Sequence, residues 1–88
     1  MAKFISFDVR KFANGNGWQL LDISVNVEAI SMVMQTDTVH TFSKYDLDTG
    51  TTKTFDYPCT VLVTHDGTEL TVLGSYKETL STINEGTK

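Results

Sequence analysis

Asp66-Gly67 stands between two short apolar runs, residues 59–64 and 69–73, and no other feature constrains the fold of this chain as much. An Asp-Gly step supplies the positive φ that a tight hairpin turn demands, so the flanking runs are expected to pair as antiparallel strands. The centre of the first run, Val61-Leu62-Val63, is apolar on both faces, as in a strand with a neighbour on each side.

The same grammar holds upstream. In residues 3–9, Ile5, Phe7 and Val9 alternate with Ser6, Asp8 and Arg10, the pattern of a half-buried strand. Asn14-Gly15-Asn16-Gly17 then offers two Asn-Gly steps for a turn, and residues 18–25 read as the return strand. Val27-Glu28-Ala29 reads as a short turn. Further strands are expected at 30–35, 38–45 and 51–57, with a turn cluster at 46–50 and an end to the last strand at Pro58, which has no N–H for a ladder. Fourteen Thr and one Pro suit such a β-rich chain.

The period changes near the C-terminus. Ser75-Tyr76-Lys77-Glu78 is a capping box, and Tyr76, Leu80 and Ile83 follow at helical spacing. Gly86 is expected to stop the helix, leaving residues 86–88 as a frayed tail.

These signals predict a mainly β (α+β) fold. It is one domain over residues 1–85, an antiparallel β-meander or half-barrel of six to seven strands with one C-terminal helix at about 76–84. Ile5, Phe7, Val9, Trp18, Leu20, Leu21, Ile30, Phe42, Val61, Val63, Leu70, Val72, Leu80 and Ile83 are the expected core. A chain of 88 residues buries only about two-thirds of its unfolded surface and is marginal alone, so a homo-oligomer is expected. The single Cys59 allows no internal disulfide.

Charge narrows the function classes. Seven basic residues stand against eleven acidic ones, for a net charge of −4, and the basic residues are scattered apart from Arg10-Lys11. Nucleic acid is therefore a disfavoured partner. The longest apolar stretches fall far short of a membrane span, and the first residues lack an apolar signal core, so a cytoplasmic protein with no membrane partner is expected.

The candidate chemistry is sparse. His40, Cys59 and His65 have no close metal-ligand spacing. They read instead as an exposed strand residue, a small core side chain and the first residue of a turn. Asp46, Asp48 and Gly50 superficially suggest a calcium loop, but the glycine is out of place and Tyr57 stands where a bidentate Glu belongs. No nucleophile elbow, phosphate loop or dinucleotide fingerprint occurs. A non-enzymatic protein without metal or cofactor is expected.

Binding suits the remaining features. Arg10, Lys11 and Trp18 flank the Asn-Gly loop, where cations and an aromatic ring can hold a small anionic ligand such as a nucleotide. Met32 and Met34 are candidates for an interaction surface. The Thr-rich strand pair at 38–57 offers an edge for strand addition.

Two stretches carry a resemblance. Trp18-Gln19-Leu20-Leu21 leading into Asn26-Val27-Glu28-Ala29-Ile30-Ser31-Met32-Val33 is one. The hairpin of residues 60–72 followed by Ser75-Tyr76-Lys77-Glu78-Thr79-Leu80-Ser81-Thr82-Ile83 is the other. Together they resemble the small flagellar/swarming-motility protein family over about half the chain, and the ending is similar to short proteins encoded by bacteriophages. The first strand and the 38–57 hairpin have no counterpart in the motility family, which offers no catalytic residues. The resemblance implies a hairpin-plus-helix fold. The function expected is that of a small accessory protein, phage-borne, that inhibits a host protein or sequesters an anionic nucleotide as a homo-oligomer. The alternative is a structural or assembly component of a larger particle, and a third reading is a metal enzyme using His40, Cys59 and His65.

Overall fold

The alternation in residues 3–9 continues beyond its apolar part. β1 spans Phe4–Ala13 and pairs in register with β2, Gly17–Asn26, from Phe4↔Asn26 to Ala13↔Gly17. Gly15 and Gly17 take φ of +84° and +71°, as the turn requires. The structure is a computed structural model that describes residues 3–13, 15 and 17–86. Asn14 and Asn16 of the expected turn, and Thr87 and Lys88 of the expected tail, lie outside the described residues.

A 3₁₀ turn, Val27–Ala29, leads into β3, Ile30–Asp46, and the Asn26 side chain accepts from the Glu28 N–H at its start. β4 is Thr51–Thr64 and β5 is Glu69–Leu73. At the Asp66-Gly67 turn the Asp66 carboxylate accepts from Thr64 Oγ1 and from the Thr68 N–H, and Gly67 takes a φ of +89°. The sheet order is β2-β1-β5-β4-β3, antiparallel throughout.

Five strands thus replace the expected six to seven, because two expected breaks are absorbed. Between Gln35 and Val39 the register slips in a bulge, where the Thr38 N–H bonds to Thr36 Oγ1 and β3 continues. Pro58 does not end its strand. The N–H and C=O of one strand residue point the same way, and the Pro58 carbonyl accepts from the Gly74 N–H at 2.9 Å. The missing N–H therefore faces the side where β5 has ended, and the ladder with β3 loses nothing.

The connection of β2 to β3 sets the sheet's curvature. Following Val9↔Val72, Thr60↔Val72 and Gln35↔Thr60 across the sheet, β2 ends at the Phe4 end of β1, whereas β3 starts beside Thr64 at the other end. A flat sheet would also hold its two edge strands about 19 Å apart. Three residues bridge them, so the sheet coils with a stagger, as a partly open barrel does. Val27 N–H to Lys3 C=O and His65 N–H to Ala29 C=O tie the bridge to both ends.

The inner face carries Phe7, Val9, Val25, Leu62 and Val72, with Ile5, Ile23, Ile30, Val33, Leu70 and Ile83 packed around them. Ile83 belongs to α1, Tyr76–Gly86, whose first turn is capped by Ser75 Oγ accepting from the Glu78 N–H. Gly86 is not a stop after the helix but its last residue. A methyl group there would stand 2.9 Å from Ile5 Cγ1 and closer still to Cδ1, so the glycine permits a close approach to β1. Core membership also differs from expectation. Leu62 is fully buried while Val61 and Val63 lie on the other face, half-buried, and Trp18 and Leu21 are exposed. Among the described residues, no helix is long and apolar enough to cross a membrane.

Candidate functional site

The alternation of β1 and β2 sends Arg10, Phe12, Trp18 and Leu20 to the outer face, opposite the side on which Phe7, Val9 and Val72 form the core. Phe12 and Trp18 are directly opposed and meet edge to face at 5.3 Å. The Arg10 guanidinium carbon sits 3.9 Å from the centre of the Trp18 ring, within cation–π range. Arg10 Nε also donates to His40 Nδ1 at 3.2 Å. His40 meets Phe42 at 4.6 Å, and Phe42 meets Tyr57 at 5.2 Å, both edge to face. A continuous row thus runs from Phe12 at one hairpin's tip through Trp18, Arg10, His40 and Phe42 to Tyr57 on the other hairpin.

His40 is not the exposed strand residue expected: only 5% of its surface is accessible. Burial first, and the Arg10 charge second, hold its pKa below the usual histidine value. A neutral ring leaves Nδ1 free to accept from Arg10, so the hydrogen bond and the lowered pKa agree. Cys59 lies buried in the same region, and desolvation pushes its thiol pKa up, which disfavours the thiolate a nucleophile or a metal ligand needs. His65 is the exposed turn residue expected. Among the described residues, no group of three His, Cys, Asp or Glu is placed to hold a metal ion.

The expected ligand-binding trio divides. Arg10 and Trp18 come together, whereas Lys11 is opposed to Gln19 and shares the parity of Val9, so it points to the other side of the sheet. Neighbouring residues on a strand cannot both face one ligand on one face. Met32 and Met34 do share the outer face, opposite Val63 and Val61, and Met32 is 52% exposed.

Compared with known protein families, curated proteins and solved structures, the chain gives no match.

Beyond the end of β5, β3 and β4 continue as a two-stranded arm over residues 41–57, most of the strand pair expected at 38–57. Its outer side carries Phe42, Phe55 and Tyr57, which with Ser43, Lys44 and Leu73 line an open cleft of about 730 Å³. At its tip Leu47 is 86% exposed. The aromatic spacing at 42, 55 and 57 was visible in the sequence. The end of β5 at Leu73 was expected as well; what the sequence could not show is the register that leaves this stretch of β3 and β4 beyond it, without a third strand.

Proposed function

We propose that this chain is a non-enzymatic, phage-borne accessory protein that works by holding another protein against its outer sheet face. The observation that carries the proposal is the row Phe12, Trp18, Arg10, His40, Phe42 and Tyr57, in which Phe12, Trp18 and Tyr57 are exposed. Trp, Tyr, Phe, Met and Arg are the residues enriched at the centres of protein interfaces, and Met32 and Met34 extend the same face. The acidic net charge and the departure of Lys11 favour a protein over a small anionic ligand.

Site-specific crosslinking in the cells that make the protein tests this. A benzophenone-bearing residue in place of Tyr57 should give covalent protein adducts, and the same residue in place of Ser81, exposed on α1, should not. No adduct at position 57, or equal adducts at both positions, would contradict the proposal.

A further inference from the structure

We infer that the protein held on the outer face is a second copy of this chain, each copy laying its β3–β4 arm over the β1–β2 hairpin of the other. The inference rests on the binding role proposed above and names its partner.

Charge complementarity is the first support. Asp8 and Asp22 are directly opposed on β1 and β2, on the outer face beside Arg10. Lys44 and Lys53 are directly opposed on the arm, on the same face beside Phe55. Like charges placed opposite one another on a sheet are unfavourable within one chain. Lys53 has a carboxylate partner in Asp46 at 3.7 Å, and among the described residues no carboxylate lies within ion-pairing distance of Lys44. The acidic pair of one copy and the basic pair of another relieve both defects when the faces meet.

A two-fold axis midway between hairpin and arm turns the two outer faces toward each other. It places each arm over the other copy's Asp8 and Asp22. Such an interface is closed and self-complementary, with every arm-to-body contact made twice.

Surface area is the second support. The chain exposes 6141 Å², about 1,000 Å² more than a compact monomer of its mass, and a standard interface covers about 800 Å² per partner. Its radius of gyration is 15.0 Å, against about 12 Å for a compact chain of this length. A bare two-stranded ribbon such as the arm is marginal in water until something packs on it.

Charge reversal with the purified full chain tests the arrangement by sedimentation. The wild type should form a dimer that weakens with added salt. Asp8→Lys with Asp22→Lys, and separately Lys44→Glu with Lys53→Glu, should each weaken dimerisation at least about ten-fold. Mixing the two reversed chains should restore a dimer, since each arm then meets an oppositely charged hairpin. If a reversed chain fails to fold by circular dichroism, Asp22→Asn and Lys44→Gln carry the same comparison with a smaller loss. A wild type that stays monomeric, a dimer that neither reversal weakens, or no recovery on mixing would overturn the inference. A monomer that still crosslinks a different protein through position 57 overturns the second copy and leaves the binding role standing. A monomer that crosslinks nothing removes both.

Discussion

Arg10 Nε donates to His40 Nδ1 at 3.2 Å, which joins β1 to β3 across the two strands that separate them. The bond fixes the imidazole as an acceptor at Nδ1 and holds the guanidinium over Trp18. It therefore connects the tip of one hairpin to the root of the arm on the other.

Replacing either partner should reveal the coupling. His40→Ala removes a buried ring and its contact with Phe42, and about 2–3 kcal/mol of stability should go with it. Arg10→Ala should cost about 1 kcal/mol, and the double variant less than the sum by about 1 kcal/mol. Urea unfolding of the four chains measures the cycle, and simple additivity would show that the bond carries no energy.

Acid should destabilise the protein through the same residue. The folded pKa of His40 lies below its unfolded value of 6.5, so between the two the unfolded chain binds the extra proton. The stabilising contribution is complete above about 6.5 and is lost as pH falls through the folded pKa. His40→Gln should flatten this part of the profile, and urea midpoints measured between mildly acid and neutral pH decide it.

The two faces of β4 should answer differently to truncation. Leu62, fully buried on the inner face, should lose about 3 kcal/mol on replacement by Ala, and Val61 on the outer face about 1 kcal/mol. Equal losses would contradict the assignment of faces.

Those faces also mark where the sequence was legible and where it was not. The hairpin turns at Gly15–Gly17 and Asp66-Gly67, the short turn at Val27–Ala29 and the Ser75 cap are local, and residues next to one another in the chain specify them. Val61-Leu62-Val63 announces an interior strand, but three apolar residues in a row do not say which one meets the helix. Trp18 reads as a core anchor, yet its pairing with Phe12 puts it on the face away from the core. Strand continuity through Pro58 depends on where β5 ends, and the Arg10–His40 contact on residues thirty positions apart. Both are properties of tertiary pairing, with no local signature. Arg10, Trp18, Met32 and Met34 were found as candidates, whereas their common face emerged only from the register.

At the C-terminus, Gly86→Ala should destabilise the protein by about 1 kcal/mol, because the new methyl group meets Ile5. Alanine is otherwise the better helix residue, so Ile5→Val should turn much of the loss back toward a gain. Thermal unfolding of the single and double variants reads this compensation. A loss unchanged by Ile5→Val would place its origin elsewhere.

Trp18 is the chain's single tryptophan and is 49% exposed in the isolated copy, so its fluorescence reports directly on the outer face. The most direct test of a protein-covered face is acrylamide quenching of Trp18 across protein concentration. Quenching should be efficient in dilute solution and fall as the chains associate, with the Asp8→Lys, Asp22→Lys variant remaining quenched throughout. Efficient quenching of the wild type at every concentration would contradict the account.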